Sequence, residues 1–291
     1  AGWRPGNCSL RDSYIWGTTR FSAGLWVGGN VTPNSFKGYP HLGVTGAKDA
    51  LAGKKADGEP AQVLNCPCCG TILAIPKDGL GTGMHTIHLV LRGAGIQPSL
   101  PQQIPVLEEL ESAPQLQITP IAGNSDYTTL SLTFTVKESA SVSTWKLDGW
   151  WRDGIQPLVG TGTLVPFRLT RPGYFKRSYR GGRGAENIEN FEIYCPNPVC
   201  DLNTNKLWNE KAPLPFDGKC TSPLRAPDSF TWDRPLEAFI RNTNYSSRIP
   251  IPAYTVDDQI YARIPSLLVA TVDKFARLAF EPRAGSIFGN V

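Results

Sequence analysis

Two pairs of cysteines, far apart in the chain, constrain the fold more than any other feature of the sequence. The first cysteine turn is Cys66-Pro-Cys-Cys69-Gly70, and the second cysteine turn is Cys195-Pro-Asn-Pro-Val-Cys200. Gly70 allows the tight bend of the first turn without strain, and this bend lets backbone amides point at the thiolate sulfurs. Two pairs bring four soft ligands, and four thiolates suit a tetrahedral zinc ion. We therefore predict one structural zinc site formed by Cys66, Cys69, Cys195 and Cys200.

The separation of the two turns leaves other interpretations of the cysteines open. About 125 residues lie between them, more than in a compact zinc ribbon, so the sequence alone does not require the pairs to meet. They would otherwise be two unrelated pairs or ordinary buried thiols. His85 and His88 are poor substitutes as ligands, because this spacing in a strand puts them on opposite faces. The remaining cysteines are predicted not to bind metal: Cys8, Cys68 and Cys220.

Composition favours a mixed α/β chain that is rich in β-structure. The 291 residues include 25 prolines, 29 glycines and one methionine, a balance that favours short strands and turns over long helices. Residues Thr128–Val136 alternate apolar and polar side chains, which predicts a strand with one buried face. We also predict two short helices, at Val106–Ser112 and Pro235–Asn242.

A segment rich in basic and aromatic residues is the second group of candidate functional residues in the sequence. Six cations interleave with three aromatic side chains between Arg168 and Gly184. Such a composition can pair with phosphates and stack on unpaired bases, whereas a solvated loop would only add solubility. The net charge of +4 is mild and decides neither interpretation. We predict nucleic-acid contacts for three of the cations, Arg177, Arg180 and Arg183.

The sequence contains none of the common enzyme motifs, and no catalytic residue is predicted. We find no G-x-x-x-x-G-K-[ST] loop, no H-E-x-x-H and no G-x-S-x-G. Asp257 and Asp258 would point apart in an extended segment, so a solvated turn is expected rather than an acid/base pair. Seven cysteines, an odd number, favour a reducing, cytoplasmic location. No apolar run reaches the ~18 residues of a membrane helix, so we expect no membrane partner.

The C-terminal residues resemble a known family. They read Ile249-Pro-Ile-Pro-Ala-Tyr-Thr-Val-Asp-Asp258 and, further on, Ile264-Pro-Ser-Leu-Leu-Val-Ala-Thr271-Val-Asp273-Lys274-Phe275. This is similar to the part of superfamily 2 helicases in which a buried strand ends in a threonine and passes into a helix. Further matches are Gly24-Leu-Trp-Val-Gly28-Gly29, Thr32-Pro-Asn34 and the two cysteine turns. The resemblance is to the large bacterial helicases of the DISARM phage-defence type.

The resemblance implies an organisation for the chain. Residues 1–30 and 249–291 would belong to a RecA-like lobe, and residues 31–248 would form a β-rich, zinc-ribbon-like insertion between them. In that family the threonine and the helix N-terminus touch the nucleic-acid backbone, which suits the anion-binding character of helix N-termini. By this resemblance, Thr271 and Lys274 would contact nucleic acid.

The resemblance also implies a function. The chain has no phosphate-binding loop and no Asp-Glu-x-His box, so we expect no ATPase activity from it alone, and ATP and Mg²⁺ would bind only in a full-length parent. We expect a fragment of an ATP-dependent helicase or translocase that supplies nucleic-acid contacts and a zinc scaffold. Its partners would be nucleic acid, DNA in particular, and subunits of a defence complex. The alternative is a free-standing zinc-dependent module that binds nucleic acid or protein without a motor.

Overall fold

The protein is a mixed α/β chain rich in β-structure, as its composition predicts. The computed structural model describes residues 22–93, 104–121, 124–180, 186–200, 202, 230–233, 238–241, 251–262 and 264–288. The strands are β1 (Ala23–Trp26), β2 (Gly38–Tyr39), β3 (Val44–Thr45), β4 (Gly83–Arg92), β5 (Gln115–Ile121), β6 (Asn124–Val136), β7 (Thr163–Leu164), β8 (Tyr174–Arg180), β9 (Glu186–Ile193), β10 (Phe230–Asp233), β11 (Ala238–Arg241), β12 (Ala253–Tyr254) and β13 (Leu267–Ala270). The α-helices are α1 (Ala47–Leu51), α2 (Thr144–Trp150), α3 (Asp257–Ala262) and α4 (Val272–Arg277). No helix within these ranges is long and apolar enough to cross a membrane.

Two compact units make up the chain. Unit 1 comprises residues 1–62, 176–193 and 205–291, and unit 2 comprises residues 63–175 and 194–204. Unit 1 therefore draws on both ends of the sequence, whereas the four predicted metal ligands all lie in unit 2. The domain boundaries predicted after residues 30 and 248 stay predictions.

A parallel sheet joins the two ends of the chain in unit 1. Its central strand, β1, pairs in parallel with β12 on one side and with β13 on the other. Gly24 leaves room for the side chain of Pro265, because a Cβ at Gly24 would lie 2.7 Å from Pro265 Cγ. α4 starts directly after β13, which agrees with the predicted strand-to-helix step. β13 is more exposed than predicted, since Leu267 and Val269 keep 62% and 54% of their surface accessible.

The apolar core of unit 1 lies around this sheet. β9 brings Phe191 within 6.3 Å of the Phe36 ring, measured between ring centroids. α1 buries one face, formed by two alanines and Leu51, as expected for a short amphipathic helix. The buried core side chains of the unit include Trp26, Phe36, Leu51, Phe191, Val256 and Ile260.

Unit 2 is built on a four-stranded antiparallel sheet in the order β5-β6-β4-β7. The strand predicted at Thr128–Val136 lies within β6, and its apolar side chains face the core as the alternation requires. α2 and the following π-helix, Trp151–Ile155, cover that face with Leu147, Trp150 and Trp151. Each large apolar side chain buried here contributes roughly 1.5–3 kcal/mol to folding.

Both predicted short helices are wrong, for one physical reason. Val106–Ser112 contains a turn and a β-bridge from Leu110 to Val136, and Glu111 donates its amide to Thr135 O at 3.0 Å. Residues 238–241 of the second predicted helix form β11, which pairs antiparallel with β10. In both places pairing with another strand overrides the local helix preference, with β6 in the first case and with the nearby β10 in the second.

Candidate metal centre

The first cysteine turn is a tight hairpin in unit 2. Cys66 donates its amide to Thr71 O at 2.8 Å, and Gly70 donates its amide to Cys66 O at 2.8 Å. Gly70 has a φ of 75°, a left-handed conformation that glycine adopts without strain. The backbone amides of Cys68 and Cys69 hydrogen-bond to the Cys66 sulfur, as the sequence predicts. The hairpin thus places Cys66 and Cys69 at one end of a narrow loop.

The second cysteine turn is held by Asn197. Its side-chain Oδ1 accepts the amide of Val199 at 3.1 Å, and its backbone carbonyl accepts the amide of Cys200 at 3.2 Å. These two bonds form an Asx-type turn, which brings the thiol of Cys200 back towards Cys195. Cys195 and Cys200 are both buried, with 1% and 3% of their surface exposed.

The four predicted ligands meet at one point. Their sulfur atoms lie within 4.8 Å of one another, and all four residues are free cysteines. Cys66 Sγ is 3.9 Å from Cys200 Sγ, and Cys69 Sγ is 3.6 Å from Cys195 Sγ. Sulfurs bound to a single tetrahedral zinc at ~2.3 Å would be ~3.8 Å apart, so the observed spacing fits such an ion. The cluster can therefore hold a metal ion, with each turn giving two ligands.

The electrostatics of the cluster favour a cation. Hydrogen bonds from Cys195 and Cys200 lower the pKa of the Cys66 thiol to about 2, against the opposing effect of burial. Hydrogen bonds with Cys200 and Cys66, together with burial, raise the pKa of the Cys195 thiol. A divalent metal that binds here displaces thiol protons and neutralises the thiolates.

A short segment between the two turns connects them through backbone hydrogen bonds. Gly173 donates its amide to Leu73 O at 2.9 Å and accepts the amide of Tyr194 at 2.9 Å. Leu73 lies just after the first turn, and Tyr194 lies just before the second. Tyr174 adds a further link, because its hydroxyl accepts the Val63 amide at 2.9 Å. Gly173 was not predicted from the sequence, although Pro172-Gly173 is a recognisable turn dipeptide.

Alanine at Gly173 is expected to destabilise the site. Its Cβ would lie 2.7 Å from both Cβ and Cδ2 of Leu73, so the two cysteine turns would have to separate. Overpacking of this kind costs about 1–3 kcal/mol. We expect a lower melting temperature and faster metal release than in the wild type. Gly81→Ala is the matched control, since a Cβ at Gly81 meets nothing within 4 Å. Equal effects of the two substitutions would contradict the role of Gly173.

The basic and aromatic segment is partly internal. Arg171 is 3% exposed, and its Nη1 donates to Ile75 O at 2.6 Å. Arg168 forms an ion pair with Asp148 of α2 at 3.1 Å. Tyr174 and Phe175 are fully buried, so neither ring is open to a nucleic-acid base. These residues support unit 2.

The three arginines predicted to contact nucleic acid lie at the far end of the same segment. Arg177 and Arg180 are in β8, and their side chains lie outside what the structure describes. Arg183 lies wholly outside the described residues. Their predicted contacts therefore stay a prediction.

Thr271 and Lys274 have different surroundings in unit 1. Thr271 is exposed at the N-cap of α4, with its amide donated to Trp26 O at 3.2 Å. Lys274 is only 8% exposed, and its ammonium contacts Asp257 and donates to Asn34 Oδ1 at 2.9 Å. A phosphate at Lys274 would have to compete with this buried pair. The predicted contact of Thr271 with nucleic acid is sterically open.

Asp257 and Asp258 each contact residues from other parts of unit 1. The prediction of a solvated turn at these residues is therefore wrong. Asp257 is 4% exposed and binds the ammonium of Lys274. Asp258 accepts the amide of Phe36 at 2.9 Å and pairs with Arg283 at 2.7 Å. The two residues begin α3 instead of lying in an extended segment, and each carboxylate has its own partners.

Other candidate ligands lie away from the cluster or outside the described residues. Cys68 is exposed, and its thiol is absent from the four-sulfur group. His85 and His88 lie in β4, where His85 bonds Gly81 O at 2.7 Å and His88 bonds Ser131 Oγ at 2.7 Å. Cys8 and Cys220 lie outside the described residues.

Part of the sequence is similar to part of a known bacterial protein. It is 36% identical over 69 residues to the DISARM protein DrmA of Bacillus paralicheniformis. The similar stretch is 23% of this chain and 6% of that protein, so the chain matches a small part of its relative. No family model matches the sequence. No solved structure matches it either.

Proposed function

We propose that this chain is a portion of an ATP-dependent nucleic-acid helicase or translocase of the DISARM type. In that protein it supplies nucleic-acid contacts and a scaffold held by a structural zinc ion. The observation that carries the proposal is the parallel sheet of unit 1, in which β1 pairs with strands from the opposite end of the chain. The similarity to DrmA supports the same assignment.

The exposed side of β13 supports a larger sheet in the parent protein. Among the described residues β13 pairs only with β1, and it presents two exposed apolar side chains, Leu267 and Val269. Parallel sheets are normally covered on both faces. A RecA-like lobe with further strands and helices would provide that cover. The parallel sheet is then the part of the lobe formed by residues 1–30 and 249–291, and residues 31–248 are the β-rich insertion.

Zinc is the metal that the four cysteines fit best. Four thiolates around one point leave no open coordination position, which is the pattern of a structural site. Bound there, the ion supplies a rigid connection between the two turns. All four ligands come from unit 2, which also has its own apolar core. This independence favours the second candidate function, a zinc-dependent binding module that acts without a motor.

Thr271 and the three arginines are the proposed nucleic-acid contacts. Thr271 is exposed at the start of α4, where backbone amides suit a phosphate. Lys274 acts through its buried pair with Asp257, which holds α4 in place. ATP and Mg²⁺ bind elsewhere in the parent protein. Its partners are DNA and other subunits of a cytoplasmic defence complex.

Replacing Arg177, Arg180 and Arg183 together with glutamine should weaken DNA binding. Each lost phosphate contact should flatten the plot of log affinity against log salt by roughly 0.9 on a duplex. The measurement is fluorescence anisotropy of labelled DNA with the full chain at several salt concentrations. The matched control is glutamine at Lys54, Lys77 and Arg152, which are exposed and carry the same total charge. An equal loss in both triple variants would mean that only net charge matters.

The same assay on Thr271→Ala tests the other contact. A loss of affinity with an unchanged salt slope is expected, because a threonine hydroxyl and backbone amides bind phosphate without displacing a counterion. If the chain binds DNA in no condition, the binding role fails, and the chain then serves its parent only as a scaffold.

A further inference from the structure

One ligand of the cluster differs from the others in its surroundings. Cys69 is exposed, whereas Cys66, Cys195 and Cys200 keep 3% or less of their surface accessible. An exposed thiolate ligand is where water, a chelator or an oxidant first reaches the metal. We therefore expect metal loss from the site to begin at Cys69.

Two polar side chains lie against the Cys69 sulfur. Asn197 Nδ2 is 3.7 Å from Cys69 Sγ, and Thr71 Oγ1 is 3.3 Å from it. Asn197 Nδ2 also donates to Thr71 Oγ1 at 3.1 Å. The amide can donate one hydrogen to the sulfur and the other to the hydroxyl, which leaves the hydroxyl hydrogen free to point at the sulfur. A thiolate at Cys69 thus has two donors from side chains.

The orientation of the Asn197 amide is fixed by its other contacts. Oδ1 accepts the Val199 amide at 3.1 Å, so the NH₂ group must point the opposite way, towards Cys69. The flanking residues Pro196 and Pro198 restrict the backbone on both sides. The donor is therefore held in place before a metal binds.

We propose that Asn197 is a positioning residue of the metal site, which holds the exposed Cys69 thiolate on the ion through an N–H···S hydrogen bond. This inference rests on the zinc site proposed above. The hydrogen bond draws charge from the sulfur, so protons and competing reagents attack it less readily. It also restrains the only ligand that lacks a buried environment. Outer-shell partners of this kind typically change metal affinity by 10–100-fold.

The test is the rate at which the zinc-loaded full chain loses its metal to a chromogenic chelator. Asn197→Ser keeps an acceptor for the Val199 amide but is too short to reach Cys69. Asn197→Asp keeps Oδ1 and removes the donor. We expect release roughly 10–100-fold faster in both variants. In the cobalt-loaded chain, the sulfur-to-metal charge-transfer band should shift, which loss of stability alone would not cause.

Asn65→Ser is the matched control. Asn65 lies just before the first cysteine turn, and its Nδ2 donates to Gly70 O at 3.1 Å instead of to a sulfur. Its release rate should stay near that of the wild type, and its cobalt band should not move. Unchanged release and an unchanged band in both Asn197 variants, with one zinc per chain, would overturn the role of Asn197. A wild-type chain that takes up no zinc would overturn the zinc site itself.

Discussion

Serine in place of Cys200 is expected to release the metal and to lower the melting temperature by roughly 10–20 °C. A shared ion would join two turns whose paired cysteines are 126 and 134 positions apart in sequence. A cross-link that closes a loop of this length removes chain entropy from the unfolded state worth about 5 kcal/mol. For a protein of this size each kcal/mol shifts the midpoint by roughly 2–4 °C. Elemental analysis and thermal unfolding of the purified variant measure both effects.

Cys68→Ser is the control for this experiment. Cys68 lies in the same turn as Cys69, is exposed, and is outside the four-sulfur group. It should retain the metal and unfold near the wild-type temperature, whereas Cys69→Ser should behave like Cys200→Ser. Equal metal retention in the Cys68 and Cys69 variants would mean that the ligand in the first turn is misassigned. Less than one zinc per wild-type chain after loading would contradict a shared site.

Methionine in place of Lys274 is expected to cost about 3–5 kcal/mol of folding free energy. The substitution leaves the Asp257 carboxylate buried without its cation, and a buried unpaired charge is strongly unfavourable. The double variant Lys274→Met/Asp257→Asn should recover much of the loss, because it removes both charges. Denaturant unfolding of the two single variants and the double variant gives the coupling between the residues.

A surface ion pair provides the comparison for Lys274. Lys54 pairs with Asp49 at 2.8 Å, and 70% of the Lys54 side chain is exposed. Lys54→Met should therefore cost no more than about 1 kcal/mol. If the Lys54 and Lys274 variants lose the same stability, the buried pair does not stabilise unit 1 in the way described here.

The cost of Lys274→Met should also depend on pH. Burial raises the pKa of Asp257, and the hydrogen bond from Lys274 opposes that rise. Without Lys274 the folded state takes up a proton at a higher pH than the unfolded chain does. The variant is therefore least destabilised below the unfolded pKa of about 3.9, and stability falls as pH rises through the folded value. A cost that grows towards acid pH would contradict this assignment.

The cysteines of the four-sulfur cluster could be predicted from sequence because each cysteine turn follows local rules. Spacing, proline and the glycine at position 70 define the turns without reference to the rest of the chain. The contact between the two turns depends on backbone hydrogen bonds of Gly173 with Leu73 and with Tyr194. These bonds join residues about 100 and 21 positions apart in the sequence. No periodic pattern marks such a contact. The role of Asn197 was not predicted from the sequence either, although asparagine between two prolines is a turn signal.

Clusters of charged residues predicted the structure less well than the alternation of apolar and polar residues did. The strict pattern of Thr128–Val136 found its strand, because a half-buried strand imposes that pattern on the sequence. The basic segment was ambiguous, because composition does not show which cations face carbonyls or carboxylates inside the fold. Arg171 and Lys274 both bind internal partners. Strand pairing, with β6 in one case and with the nearby β10 in the other, also explains why the two predicted short helices were wrong.

The positions of the four clustered cysteines in the sequence determine when the cluster can form during synthesis. Cys66 and Cys69 leave the ribosome first, and the chain must grow by 131 residues after Cys69 before Cys200 exists. At 5–20 residues per second this takes roughly 7–26 s. During that interval the first turn presents its thiols, including the exposed Cys68, without the partners that complete the cluster. During this interval we expect the nascent protein to be most susceptible to oxidation. A transcript truncated before Cys200 would give a product that cannot form the four-cysteine cluster.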